Sequence, residues 1–126
     1  MHTGQLGVIS LEGPEGEKVR VTDLERTLID IVVRPAYAGD VFEVLKAYRL
    51  AKGQVSVNRL AATLKKLNYI YPYHQAIGYY LEKAGYRKSS IEIMDQFEIE
   101  YNFYLTHRVQ DMDYSSKWHL YFPKNL

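Results

Sequence analysis

The side chains that could do chemistry are sparse. Four histidines, His2, His74, His107 and His119, form neither an HxxxH nor an HExxH arrangement, and the chain has no cysteine to join them. His107 and His119 could meet across a hairpin, but two imidazoles without a third ligand read as packed or surface histidines. Asp111 and Asp113 lie in QDMDYSS, where Asp is expected for the turn hydrogen bonds it makes with the backbone. No P-loop, G-x-S-x-G or glycine-rich dinucleotide turn occurs. Ser, His and Asp are all present, but nothing favours a triad. The expectation is a non-enzyme, with no cofactor and no bound metal.

Two other residue groups carry potential. Lys46, Arg49, Lys52, Arg59, Lys65 and Lys66 could neutralise phosphates; of these Lys46, Arg49, Arg59, Lys65 and Lys66 are the candidate nucleic-acid contacts. The stripe is imperfect, because Lys46 projects away from its helix's apolar face while Lys52 falls near it. The twelve tyrosines form clusters at 69–73, 79–80 and 101–104. Tyrosine suits half-buried positions and interfaces, so most are expected at the core edge and some, Tyr69, Tyr71 and Tyr73 above all, at an interface.

The elements that must position these groups read as follows. LGVISL (6–11) and KVRVT (18–22), separated by a Gly- and Pro-containing loop, predict an N-terminal β-hairpin. Thr22 and Glu25 fit a capping box for the next helix, with Asp23 as the alternative cap. Leu24, Leu28, Ile31 and Val32 give that helix a buried stripe, Arg26 and Asp30 can pair across one turn, and Pro35 ends it. Asp40 caps a second helix with Val41, Val44, Leu45 and Tyr48 inward and Gly53 beyond its end. A third opens at Ser56 or Val57, buries Leu60, Leu64 and Leu67, and stops at Asn68. A fourth starts with Pro72 in its first turn, turns Ala76, Ile77, Tyr80 and Leu81 inward, and stops at Gly85. Ser89 and Ser90 are expected to cap a short helix. YNFYLTHRV and KWHLYF, separated by the polar turn QDMDYSS, predict a C-terminal β-hairpin, or two strands that complete a small sheet with the N-terminal hairpin. The class is α+β: N-terminal hairpin, four to five helices, C-terminal hairpin, in one domain over residues 1–126.

Length and composition agree with a single ordinary globular domain: 126 residues, 47% apolar and 25% charged. The start lacks a cationic and long apolar leader, no apolar run is long enough for a membrane span, and cysteine is absent, so a cytoplasmic location is expected. The net charge of +1 conceals an asymmetry. Residues 1–40 carry −3, residues 41–90 carry +7 and residues 91–126 carry −3. Flanked by acidic ends, the basic middle is either neutralised within the fold or free to face an anionic partner.

The segment VTDLERTLIDIVVRPAYAGDVFEVL (21–45) resembles the region around the E-R-T-L-I/V-D signature of AbiEi-type antitoxins, from abortive-infection, type IV toxin–antitoxin systems. The matching positions are Glu25, Arg26, Thr27, Leu28, Ile29 and Asp30, then Pro35 and Ala38-Gly39; Asp40 stands where the family often has a second glycine. Gly78, Leu81, Glu82 and Gly85 match the family's Gly-Tyr-x-Leu-Glu-x-x-Gly segment, and Lys117-Trp118 matches its terminal Lys-Trp strand. The resemblance implies an antitoxin and transcriptional regulator that counteracts a nucleotidyltransferase-like toxin, generally without a stable complex, and assists repression of its own operon in phage defence. In that family an N-terminal winged helix binds operator DNA. About twenty residues precede the signature here, so the chain corresponds to the C-terminal domain. The motif supplies no catalytic residue, and its side chains read as structural. The alternative is a stand-alone nucleic-acid-contacting module using the basic helices of 41–90.

Overall fold

The first three helix starts are set by short polar side chains that satisfy exposed backbone N–H groups, and a computed structural model of the chain locates each one. It describes residues 8–12, 14–16, 18–107 and 110–126. Helix α1 (Leu24–Val33) is capped by Asp23, whose carboxylate accepts from Arg26 N at 2.8 Å. The Thr22–Glu25 capping box is therefore not formed. With Asp23 at the cap, Glu25 falls one position short of the reach-back site and turns inward, and the Thr22 hydroxyl meets that of Thr27 at 2.6 Å. Leu28, Ile29, Ile31 and Val32 are buried. Arg34 ends α1, and Pro35–Tyr37 turn as a short 3₁₀ helix.

Gly39, at φ +122, makes the bend that lets Asp40 cap α2 (Val41–Ala51), accepting from Phe42 N at 3.0 Å and Glu43 N at 3.1 Å. Val41, Val44, Leu45 and Tyr48 face inward as the periodicity requires. The Tyr48 hydroxyl donates to the Leu28 carbonyl at 2.9 Å, and its ring stacks on Tyr80 at 5.3 Å. Ser56 caps α3 (Val57–Leu67) through Arg59 N at 3.2 Å; Asn68, left-handed at φ 51, ends it. Leu60 and Leu64 are buried, while Leu67 is only partly so.

Helix α4 (Tyr73–Lys83) has Pro72 at its cap rather than inside its first turn. All residues from Gln75 to Leu81 are buried, so α4 is enclosed by its neighbours instead of presenting one inward stripe. Helix α5 (Lys88–Glu92) starts after Arg87. Ser89 and Ser90 thus lie inside it and cap nothing. Buried Tyr86 anchors the chain one residue earlier, its hydroxyl donating to the Tyr48 carbonyl at 2.8 Å. A 3₁₀ turn, Ile93–Gln96, follows.

Strands β1 (Val8–Glu12) and β2 (Lys18–Thr22) run antiparallel along their backbones. Residues 1–7, 13 and 17 lie outside the described set, and the expected N-terminal hairpin falls partly on them; the α+β class rests on the helices and the C-terminal sheet. That sheet has three strands in the order β3 (Phe103–Tyr104), β5 (Leu120–Pro123), β4 (Met112–Ser115). β4 and β5 are antiparallel, with Tyr114 opposite Tyr121; β3 is parallel to β5, with Tyr104 opposite Tyr121. The C-terminal hairpin therefore differs from expectation. Its first strand comes from the polar stretch assigned to a turn, and the aromatic run before it supplies only a two-residue parallel strand. An edge strand with no fully buried residue tolerates such polar composition.

Tyr48 joins α1, α2, α4 and the Tyr86 turn. Tyr48→Phe removes one buried donor and is expected to cost about 1 kcal/mol. Tyr48→Ala empties the site and is expected to cost about 3–5 kcal/mol. Urea midpoints of the two variants check both.

Candidate functional site

The ERTLID residues build a polar node at the start of α1. Glu25 is buried, accepts from Ser56 N at 3.2 Å and lies 3.5 Å from Arg59 Nε. Arg59 Nη2 reaches Asp23 at 2.9 Å. One guanidinium thus bridges the helix cap and the buried carboxylate, tying α3 to α1. Arg26 Nε and Asp30 pair at 2.9 Å across one turn, as expected, though with both side chains largely covered. Thr27 holds Thr22, and Leu28 and Ile29 are core residues. Arg59, grouped by sequence with the free cations, is committed to two carboxylates. Lys46, Arg49, Lys65 and Lys66 are exposed and form no ion pair among the described residues.

The second motif grips the C-terminal strand segment. A Cβ on Gly78 would lie 2.3 Å from Trp118 Cζ3, so the indole occupies the space an alanine methyl would need. One turn on, Glu82 accepts from Trp118 Nε1 at 3.3 Å and lies 3.4 Å from Lys117 Nζ. Gln75 donates to the carbonyls of Tyr101 and Trp118, both at 2.8 Å. Leu81 is fully buried. Gly85, at φ +83, closes α4: its N–H donates to the Glu82 carbonyl at 3.1 Å, and Tyr86 N donates to that of Leu81 at 3.0 Å.

Two concave surfaces stand out among the described residues. The smaller, about 240 Å³, lies beside Tyr69, Tyr71, Tyr73, His74, Phe97 and Lys65. Tyr73 packs against Tyr69 at 5.1 Å and Tyr71 at 5.3 Å. His74 stacks on Phe97 at 5.4 Å and bonds the Glu98 carbonyl at 2.7 Å. Burial lowers its pKa from the ordinary value, and the Glu98 bond opposes that shift. The larger groove, about 840 Å³, runs between the turn after α2 and the turn after α4. Lys52, Ser56, Asn58, Arg87, Ser89 and Ser90 supply its polar lining. Of these, sequence reasoning considered only Lys52 as a contact; the available signal was a cation beside a helix-terminating glycine, at Lys52-Gly53 and again at Gly85-Tyr86-Arg87.

The remaining histidines and the acidic pair are dispersed. His107 stacks on Tyr104 at 5.3 Å, and His119 lies 6.4 Å from Tyr114, at separate parts of a tyrosine ladder across the sheet. That ladder runs Tyr104–Tyr121–Tyr114, with successive ring centroids 4.7 Å apart. Asp113 accepts from Tyr114 N at 2.8 Å, and Asp111 lies 3.8 Å from Lys124. His2 lies outside the described residues. Among the described residues no three His, Asp or Glu side chains gather as a metal site, and no helix is long and apolar enough to cross a membrane. Comparison with known protein families, with curated proteins and with solved structures returned no match.

Gly78→Ala is expected to lose at least about 2 kcal/mol, because the Trp118 ring must move. Gly53→Ala, at φ +91 in open space, is expected to lose only about 1 kcal/mol, from backbone strain alone. Denaturant midpoints separate the two. For His74 the fold favours the neutral ring, so the unfolded chain binds the proton more readily. Stability should be held above the ordinary histidine pKa and fall as pH drops through it toward the lower folded value. His74→Gln should flatten the unfolding midpoint between pH 7 and pH 5.5.

Proposed function

We propose that this chain is the antitoxin and regulator domain of a type IV toxin–antitoxin system of the AbiEi type, counteracting a nucleotidyltransferase-like toxin in the cytoplasm and assisting operon autorepression. On this reading it acts without catalysis and without a stable toxin complex, and β1 and β2 form the hairpin that leads into the domain. Operator DNA is bound mainly by the winged helix that the family carries ahead of this region. One observation carries the reading. Gly78 and Glu82 of one motif segment contact Lys117 and Trp118 of another, far along the chain. The matched residues therefore cooperate in one folded unit, as the signature of a domain should, rather than resembling a family at unrelated places.

A second reading, a nucleic-acid-contacting module in its own right, draws on Lys46 and Arg49 of α2 and on Lys65 and Lys66 of α3, all exposed. Lys65 borders the tyrosine-lined surface, whereas Lys46 and Arg49 line neither groove. These cations do not converge on one track, which weakens the reading.

The test is co-expression with a nucleotidyltransferase-like toxin encoded in the same operon. Growth should recover when the antitoxin includes residues 23–122 and fail when that segment is deleted. Equal survival without the segment overturns the proposal. Salt-dependent retardation of operator DNA by this chain alone would favour the second reading instead.

A further inference from the structure

Among the described residues, the larger groove brings together unpaired cations, hydroxyls and an apolar floor. Lys52 and Arg87 come from turns 35 residues apart and line the same concavity. Neither forms an ion pair among the described residues, and no Asp or Glu lines the groove. Glu25, which accepts from the backbone N–H of the lining residue Ser56, is held by Arg59. The Lys52 ammonium is folded toward the opposite turn, 3.4 Å from where a Cβ on Gly85 would stand. A side chain at Gly85 would crowd that ammonium.

The walls are held rigidly. Gln54 N and Val55 N donate to the Ala51 carbonyl at 2.9 and 3.1 Å, fixing the first turn. On the other side, Tyr86 is buried and hydrogen-bonded to Tyr48, and Ser90 N and Ile91 N donate to the Arg87 carbonyl at 3.0 and 3.2 Å. The Ser56 oxygen accepts from Arg59 N, which leaves its O–H to donate outward. The Ser89 and Ser90 hydroxyls make no hydrogen bond among the described residues. Two cations and three hydroxyls on hydrogen-bonded turns line one groove, and these are groups that bind phosphate oxygens. Val55, Val57 and Ile93 offer an apolar floor for an organic body. The volume of about 840 Å³ lies within the range of small-molecule sites.

We propose that this groove binds a nucleotide, with its phosphates between Lys52 and Arg87 and its base over Val55, Val57 and Ile93. The site is separate from the surfaces carrying Lys46, Arg49, Lys65 and Lys66, and it stands whether or not the antitoxin reading holds.

The experiment titrates the full chain with AMP, ATP and inorganic phosphate by calorimetry, and follows the unfolding temperature with each. AMP or ATP should bind saturably with a dissociation constant below about 1 mM and raise the unfolding temperature. Lys52→Gln and Arg87→Gln, each on an exposed side chain, should weaken binding roughly tenfold. Ser89→Asp, which sets a carboxylate among the donors, should abolish it while circular dichroism stays unchanged. Lys46→Gln should have no effect. The proposal is overturned if neither nucleotide binds, if Lys46→Gln weakens binding as much as Lys52→Gln, or if inorganic phosphate binds as tightly as AMP. Binding of a DNA duplex with none of AMP or ATP overturns it as well.

Discussion

The approach of Trp118 to Gly78 is the constraint on which the arrangement of layers depends. With no side chain at position 78, the indole reaches the helix backbone of α4, and the C-terminal sheet closes against the helices. Gln75 and Glu82 lie three residues before and four after Gly78, so all three share a face and grip the same segment. On another side of α4, Tyr80 stacks on Tyr48, which in turn bonds to α1. One enclosed helix therefore connects the α1–α2 pair to a sheet formed from the last quarter of the chain. A larger residue at 78 would displace Trp118 from both the Glu82 carboxylate and the Gln75 amide.

Helix boundaries were legible where a short polar or left-handed residue had no competitor. Asp40, Ser56, Asn68 and Gly85 each sit where their chemistry predicts. Thr22 and Asp23 did compete, and the carboxylate won. The reason is tertiary: Glu25, needed to complete a box with Thr22, bonds instead to the start of α3, which a local pattern cannot reveal. The enclosure of α4 was illegible for a related reason. Its tyrosines carry hydroxyls that suggest a half-exposed face, yet Tyr79 and Tyr80 are buried, and burial pushes the Tyr79 hydroxyl pKa up to about 12. Strand β4 was missed because an edge strand partnered on one side needs no hydrophobic alternation.

The residues of the candidate sites separate along the same line. Those matching the antitoxin signature act inward: Glu25 and Arg26 in ion pairs, Leu28 and Leu81 in the core, Gly78 and Glu82 around Trp118. The Arg26–Asp30 pair and the burial of Leu28 and Leu81 followed from residue type and spacing; the inward role of Glu25 and the grip of Gly78 and Glu82 on Trp118 did not. The larger groove depends on two turns meeting in space. Each turn is locally ordinary, a helix end with a glycine and a cation, and the Tyr86 bond to the Tyr48 carbonyl helps hold Arg87 in the groove that Lys52 also lines.

This geometry resolves the charge asymmetry. The acidic ends of the chain could have neutralised the basic middle, and among the residues whose side chains are described they largely do not. Of those residues Arg59 is held by N-terminal acids, through Asp23 and Glu25, and Lys88 pairs weakly with Glu92 at 3.9 Å. In the opposite direction, Lys117 takes up Glu82, one of only two acids in residues 41–90. Lys46, Arg49, Lys52, Lys65, Lys66, Lys83 and Arg87 form no ion pair among the residues whose side chains are described. Folding thus preserves the positive field of the middle segment and removes part of its negative offset. Maintaining uncompensated cations has a self-repulsion cost that solvent screens at an open surface. Lys52 and Arg87 line one groove, so they are the two of these cations that a single anionic ligand there would meet together.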